Sequence, residues 1–337
     1  MAKKNLFGSV IVTYRCNARC NMCNCWLDPS KKKDEISVDT IRKLPPMNFT
    51  NITGGEPFIR QDLPEIVEEL YKKTPRIVIS TNGYFYDRIL ALCKKFPRIG
   101  IRISIEGLPK TNDAIRGIPD GFDRAMRSLL DLTAQGHKDV GFGMTVQDMN
   151  AKDLVLLYHL SNHMEMEFAT AALHNSFYFR KDDNKINDQP LVSEAFQNLI
   201  NELLKSTSPK KWFRAYFNHG LINYINDKPR YLPCKMGSNG FFIDPFGDVL
   251  PCNGMTSKMS MGNLNVQDWD EIWTSEKAAK VREAVKNCPK NCWMIGSVSP
   301  AMHQNIWVPL KWVLYHKFVK RGYTLDENNL MGEKLYS

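Results

Sequence analysis

"TYRCNARCNMCNCW", residues 13–26, places four cysteines within the ten positions from 16 to 25. The chain has 337 residues and nine cysteines, so crowding on this scale asks for a chemical reason. Cys16, Cys20 and Cys23 have the spacing C-x3-C-x2-C, and Cys25 lies outside it. The preceding stretch, "FGSVIVTY" at 7–14, reads as a β-strand, which puts the cysteines in the loop that leaves it. Soft thiolates select iron–sulfur clusters, zinc or copper(I). Three thiolates on a four-iron cubane leave one iron open to an outside donor, just as catalytic metal sites keep a free position. A structural zinc ion would need a fourth ligand, for which Cys25 is available.

Working outward, the composition is 43% hydrophobic and 24% charged, which suits a globular protein with ample core. No run of about eighteen apolar residues occurs, so no spanning helix is expected. The basic start "MAKKNLFGSVIVTYR" leads into a short strand without a small-residue cleavage site, unlike a signal peptide. A cytoplasmic, reducing setting is the resulting expectation, and there clustered cysteines mean metal or redox chemistry rather than disulfides. The net charge of +9 and pI near 9.0 favour anionic partners. No nucleic-acid motif accompanies the charge, and no nucleic-acid partner is expected. There is also no P-loop, dinucleotide fingerprint or Ser–His–Asp order to suggest kinase, dehydrogenase or hydrolase chemistry.

The first half alternates strand-like and helix-like segments. Strands are expected at 7–14, 48–53, 76–81, 98–106, 139–146 and 165–173, with helical patterns near 38–44, 62–73, 85–95, 121–135 and 151–163. Such alternation implies βαβ units and a parallel sheet. Six strands are too few to close an eight-stranded barrel, so the expected fold is α/β, a partial (β/α)6 TIM-like barrel. Chemistry then belongs beyond the carboxyl ends of the strands. A polar loop at about 178–192 precedes helices near 193–205 and 209–226. From Cys234, "CKMGSNGFFIDPFGDVLPCNGM" reads as a β-hairpin, with "FFID" and "DVLPC" as strands and "PFGD" as the turn. With the helix that follows, it makes a small α+β domain. The expected division is 1–230, 231–300 and a tail, 301–337.

"CNARCNMC" after the first strand resembles the signature of the radical S-adenosylmethionine (radical SAM) superfamily. Further features repeat the order of that family. "TGGEP" (53–57) follows the second strand and resembles the glycine-rich motif that holds the amino group of S-adenosylmethionine. The resemblance thereby assigns Gly54, Gly55, Glu56 and Pro57 to the cofactor, with Glu56 as the acidic contact. Glycines, lacking Cβ, permit that close approach. "STNG" (80–83) places Asn82 at a frequent cofactor position. "SIEG" (104–107) places Ser104 and Glu106 on one face of the fourth strand, near the ribose or methionine portion. "NDAIRG" (112–117) resembles a segment whose Arg116 would meet the carboxylate, a pairing suited to bidentate hydrogen bonds. The residue before the third ligand is usually aromatic in the family and packs near adenine. Here it is Met22, which can supply apolar contact. Cys16, Cys20 and Cys23 would hold the [4Fe-4S] cluster. Cys25 is read as a buried bystander or, alternatively, as a redox-active or hydrogen-donating thiol beside the site. Cys93 reads as a core residue on a helix.

Cys234 and Cys252, spaced C-x12-G-x4-C around Gly247, resemble the opening of the SPASM and twitch domains, which add iron–sulfur clusters to radical SAM enzymes. Cys288 and Cys292 complete four thiolates, one ligand set for a single auxiliary [4Fe-4S] cluster. A full SPASM domain carries more cysteines and two extra clusters, so a reduced, twitch-like form is expected. A zinc ribbon is the rival reading. In the tail, "IWVPLKWVLYHKFVKRGY" (306–323) would, if helical, group Trp312, Leu314, Tyr315, Phe318 and Val319 on one side. His316, Lys317, Lys320 and Arg321 would lie mostly on the other. Such a helix either caps the core of the protein or lies on an anionic membrane surface. His174, Asn175 and Ser176, near the sixth strand's end, are substrate-pocket candidates, although a lone strand-end histidine is commonly a structural hydrogen bonder.

The resemblance implies reductive cleavage of S-adenosylmethionine to methionine and a 5′-deoxyadenosyl radical, fed by a flavodoxin- or ferredoxin-type donor. The radical takes a hydrogen atom from a substrate. The expected outcome is oxidation or rearrangement of a small or carrier-linked molecule, the second cluster relaying an electron. The alternative is peptide or protein modification by epimerisation, crosslinking or formylglycine formation. Many peptide-modifying relatives carry an N-terminal leader-binding domain, which is expected to be missing because the first strand starts within about seven residues of the beginning. A non-enzymatic iron–sulfur carrier would not require the S-adenosylmethionine motifs.

Overall fold

A computed structural model describes residues 6–254 and 258–325. The ends of the first and third expected domains, 1–5 and 326–337, lie outside the described residues, as do 255–257 of the second. Six parallel strands lie side by side in sequence order: β1 (Phe7–Ile11), β2 (Phe49–Thr53), β3 (Ile77–Thr81), β4 (Gly100–Ser104), β5 (Val140–Val146) and β6 (Glu167–Ala172). Between them run α1 (Val38–Arg42), α2 (Leu63–Tyr71), α3 (Tyr86–Lys95), α4 (Pro109–Arg116), α5 (Gly121–Ala134) and α6 (Leu154–His163). The strands read as near-continuous apolar runs because helices cover the sheet. Val10, Ile52, Ile79, Ile101, Ile103 and Phe142 are completely buried. This is the expected partial (β/α)6 barrel. Helix α4, absent from the sequence reading, opens on Pro109, where the missing N–H costs nothing.

Two long helices follow, α7 (Gln189–Lys205) and α8 (Pro209–Ile225). Helix α7 starts four residues before the expected position, where the Asp188 carboxylate accepts from the Leu191 amide at 3.0 Å. The expected hairpin forms as β7 (Gly240–Ile243) and β8 (Asp248–Leu250), with a short β9 (Gly262–Asn263). It does not stand apart. Strand β7 pairs in parallel with β1, from Phe7 opposite Gly240 to Val10 opposite Ile243. One nine-stranded sheet results, in the order β6-β5-β4-β3-β2-β1-β7-β8-β9. The chain then continues through α9 (Trp269–Thr274), α10 (Glu276–Lys286), α11 (Ile295–Gln304) and α12 (Trp307–Leu314).

Trp293 fastens the second cysteine region to α8. Its buried indole donates to the Phe217 carbonyl at 2.9 Å. A Cβ at Gly220 would come 2.0 Å from the ring, so only glycine lets the ring lie flat on the helix. Beside it, buried His219 is stacked between Tyr231 and Trp312 at centroid distances of 4.6 and 5.0 Å, with Nδ1 2.9 Å from the Tyr323 hydroxyl. Burial, reinforced by His316, pushes His219 down to about 3. Its folded value is below the unfolded one, so its stabilising contribution is intact above the ordinary histidine pKa. It is lost as pH falls from there toward 3. The loss at pH 5 is about 2 kcal/mol. In urea titrations, His219→Gln is expected to lose about that much less stability than the parent between pH 7 and 5; equal losses would refute the assignment.

The tail corrects one expectation. Helix α12 passes at Tyr315–Val319 into a wider π-type turn. The inward positions are Pro309, Trp312, Val313 and His316, whereas Leu314, Tyr315, Phe318 and Val319 face solvent. At 100° per residue, Trp312 and Leu314 fall on opposite sides, so the expected grouping of these two fails. Lys317, expected outside, reaches inward to donate to the carbonyls of Leu204 and Ser206 at 2.5 and 2.9 Å.

Candidate active site

Strand register lines the unusual residues along one edge. Ile11 pairs with Thr53, Thr81 with Ile103 and Ser104 with Gly143, and beyond these carboxyl ends lie Cys16, Glu56, Asn82 and Glu106. The base of the cysteine loop is tied by a residue the sequence reading passed over. Glu35 accepts from Arg15 Nε and Nη2 at 2.9 and 2.7 Å and from Ser30 Oγ at 2.6 Å, and Thr13 Oγ1 adds a further donor. Burial alone would raise this carboxyl; the hydrogen bonds outweigh it and hold it below the usual range. No local signal marks Glu35, which closes a charge run some twenty residues away.

The far side of the loop rests on the end of α4, where the Arg19 and Asn21 amides donate to the carbonyls of Arg116 and Ile115 at 3.1 and 3.0 Å. The glycine-rich turn lies against the same loop. The Gly55 and Glu56 amides donate to the Thr13 and Arg15 carbonyls at 2.7 and 2.9 Å. A Cβ on Gly55 would come 2.3 Å from the Arg15 oxygen. The glycines are therefore required by backbone meeting backbone, before any cofactor is considered.

Cys16, Cys23 and Met22 pack half-buried against buried Cys20, Ala18 and Ile118. Cys25 points the other way, into a cluster with Ile11, Tyr14, Tyr178, Phe242 and Leu250, where Cys23 also reaches. Its thiol donates to the Tyr178 carbonyl at 3.2 Å. Burial pushes Cys16 up to about 12 and raises Cys20. A hydrogen bond from Cys25 lowers Cys23 to about 7, and the same sharing raises Cys25. None of the nine cysteines is in a disulfide. Among the described residues, no three imidazole, thiol or carboxylate groups close on one single-ion position. A cubane binds its thiolates on separate irons, and three unpaired thiols in a mostly apolar pocket are a donor set of that kind.

Glu56 is completely buried. Its Oε2 accepts from the Asn82 amide at 2.7 Å and its Oε1 from Thr81 Oγ1 and the Phe58 amide at 2.8 and 3.0 Å. Asn82 Nδ2 donates to Asn17 Oδ1 at 2.8 Å. Pro57 opens the short turn that follows. Glu106, also buried, accepts from the Thr145 amide at 2.6 Å and faces Arg116 Nη1 at 3.4 Å. Burial raises both carboxyls despite these donors. Ser104 is half-buried at the end of β4. Arg116 lies near Cys20 and Cys16 as well as Glu106, so one half-buried cation serves the thiols and the carboxylates together.

The segment after β6 bridges the two cysteine regions. Asn24 takes bonds to Phe179 and Arg180, and Asn184 Nδ2 donates to the Met22 carbonyl at 3.0 Å. On the other side, Ser176 Oγ donates to the carbonyl of Asn253, next to Cys252, at 2.7 Å. Of the three substrate candidates, Ser176 thus holds this bridge, and Asn175 exchanges bonds with the Asn184 backbone. His174 alone keeps a ring nitrogen in reserve. Its Nδ1 meets the Ala172 carbonyl at 2.9 Å, and its buried Nε2 has no partner among the described residues. Tyr178, missed in the sequence, packs beside Cys25 and reaches Thr53 Oγ1 at 3.2 Å.

Cys234, Cys252, Cys288 and Cys292 are half-buried. Burial raises Cys292, whose charged neighbours include Cys288, Cys234, Lys290 and Arg230. Lys290 Nζ donates to the Gly254 carbonyl at 2.7 Å, and a Cβ on Gly254 would lie 3.1 Å from Cys292 Sγ. Three separate stretches of chain thus bring these thiols into one neighbourhood.

Comparison with known proteins agrees with this geometry. Residues 10–160 match the model of the radical SAM superfamily, and residues 234–294 match SPASM, an iron–sulfur cluster-binding domain. The chain is 33% identical over 285 residues to mycofactocin maturase MftC of Mycolicibacterium smegmatis, covering 81% of this chain and 71% of that one. It is 30% identical over 198 residues to Fe-coproporphyrin III synthase of Methanosarcina barkeri, covering 55% of this chain and 48% of that one. The chain therefore spans about half the length of one of these relatives and about seven tenths of the other. The crystal structure of Streptococcus suis SuiB superposes with a TM-score of 0.63 at 16% identity, covering 84% of this chain and 68% of that one, which shows the shared fold. The chain belongs to the radical SAM superfamily and carries a SPASM-like domain. It is an enzyme of that family, with S-adenosylmethionine, a [4Fe-4S] cluster and auxiliary iron–sulfur as its cofactors.

Proposed function

We propose that this radical SAM enzyme oxidises or rearranges a small or carrier-linked molecule at an unactivated carbon, with one auxiliary [4Fe-4S] cluster at Cys234, Cys252, Cys288 and Cys292 relaying an electron. The observation that carries the reading is the bridge at 174–184, hydrogen-bonded to the cysteine loop on one side and to Asn253 on the other. It joins the carboxyl end of β6 to both cysteine regions. Bound there, a cluster and S-adenosylmethionine would supply radical chemistry at the substrate carbon.

The protein's own groups position and shield. Cys16, Cys20 and Cys23 hold the cluster. Glu56, with both oxygens fixed by Asn82, Thr81 and Phe58, receives the ammonium of S-adenosylmethionine, and Gly54, Gly55 and Pro57 shape the turn around it. Asn82, Ser104, Glu106 and Arg116 line the remainder, and Met22 gives the adenine an apolar contact. His174 Nε2 accepts a hydrogen bond from the substrate. A flavodoxin- or ferredoxin-type protein is the electron donor. A second reading, peptide modification, is favoured by the likeness to mycofactocin maturase.

Anaerobic reconstitution followed by assay for 5′-deoxyadenosine with dithionite tests the enzyme reading, and a fully loaded protein that does not cleave S-adenosylmethionine would falsify it. Iron analysis tests the second cluster. About eight irons per chain are expected, dropping to about four in the Cys234→Ala/Cys252→Ala variant. Unchanged iron, or stoichiometric zinc in that region, rules the auxiliary cluster out.

A further inference from the structure

The outward face of the last helix is unlike the rest of the surface. Trp307 is 69% exposed, Phe318 54% and Val319 71%, and Ile306, Leu314 and Tyr315 are exposed beside them. Single exposed apolar residues are ordinary. These six are exposed along α12 and the π-type turn that continues it, while Trp312 and His316 face inward. No acidic residue occurs between 306 and 323, while Lys311, Lys317, Lys320 and Arg321 do. Lys311 and Arg321 are exposed, and neither is in an ion pair among the described residues.

We propose that this face docks the protein on an anionic lipid bilayer. An apolar stripe bearing tryptophan and flanked by cations is what an interfacial helix presents to headgroups. The alternative of a second copy is disfavoured by charge, because a self-complementary contact would set these cations against their own images. Position adds a consequence. His303 packs on Phe7, the first residue of β1, at 5.6 Å, and Phe318 packs on Trp212 at 6.1 Å. Trp212 lies in the first turn of α8, where Lys210 pairs with Glu167, the first residue of β6. The docking face therefore belongs to the amino-terminal end of the barrel, opposite the cysteine site. Binding fixes the enzyme at a membrane while leaving its mouth turned away, open to donor and substrate. The inference is independent of the reaction proposed above.

The test is flotation of the reconstituted full chain with phosphatidylcholine vesicles, with and without phosphatidylglycerol. Binding is expected only to the anionic vesicles, and to weaken with salt. Lys311→Ala/Arg321→Ala is expected to lower it about twenty-five-fold, from roughly fivefold per cation. Trp307→Glu/Val319→Glu is expected to abolish it while leaving S-adenosylmethionine cleavage in solution unchanged, which shows that the variant is folded. Failure of the parent to float on anionic vesicles overturns the proposal. So does binding seen only after truncation beyond Leu325, which makes the chain's own end the occupant. Self-association removed by Trp307→Glu/Val319→Glu, without flotation, would make it a second copy.

Discussion

Cys16→Ala, Cys20→Ala and Cys23→Ala each bring S-adenosylmethionine cleavage below detection, whereas Cys25→Ala keeps its cluster and loses about tenfold, the lower end of the effect of a residue behind a ligand. The expectation rests on where the four sulfurs point. Three share the pocket floored by Ala18 and Ile118, and as the proposed ligands each would bind a different iron, so none could replace another. The fourth is turned toward Tyr14 and Tyr178. It lies beside Cys23, whose thiol its hydrogen bonding lowers. Iron content, the electron paramagnetic resonance signal of the reduced cluster and 5′-deoxyadenosine yield read these outcomes. Loss of iron from Cys25→Ala, or a cluster of normal potential and activity in any of the other three, would overturn the division.

Arg116→Met should cost about 3 to 5 kcal/mol of stability in the cofactor-free protein, the usual consequence of leaving a buried partner charge alone. Glu106 is that partner. It is buried, faces Arg116 at 3.4 Å, and is already raised by burial even with the guanidinium present. Without Arg116 it is raised further. A carboxyl raised in the folded state opposes folding once pH exceeds its unfolded value, so the deficit should grow as pH rises from about 4 toward neutrality. Adding Glu106→Gln to Arg116→Met should recover much of the stability, since the pair is strongly coupled. It should not recover S-adenosylmethionine binding, for which the guanidinium is proposed to meet the cofactor carboxylate. Urea midpoints across pH and equilibrium binding separate the two effects. A double variant no more stable than Arg116→Met would show that the buried charge is not what is lost.

Much of the barrel could be read from the chain because its signals are local. Alternating apolar strands and amphipathic helices recur at short range, and the strand boundaries agree to within about three residues of the structure. The same holds for "TGGEP", "STNG" and "SIEG", whose spacing puts them at successive strand ends once the sheet is parallel. The tail was misread because a short helix with apolar residues nearly all round does not declare which stripe it buries. That choice is made by Tyr216 and His219 on α8, nearly a hundred residues earlier, whose rings pack on Trp312.

The sequence by itself determined the chemistry: three spaced thiols on a loop after the first strand, a glycine-rich turn after the second, and four more cysteines beyond a barrel. These depend on residue type and spacing, which are covalent facts. The tertiary structure decided which sulfur stands apart, that Glu35 ties down the cysteine loop, and that the 174–184 segment joins the two cysteine regions. It also decided that β7 extends the barrel sheet through β1. Each of these is a contact between residues some twenty to more than two hundred positions apart, and no local propensity encodes a partner at that distance. "TYRCNARCNMCNCW" therefore announces four thiols, while the packing of Tyr14 and Tyr178 around Cys25 leaves the other three as the proposed cluster ligands.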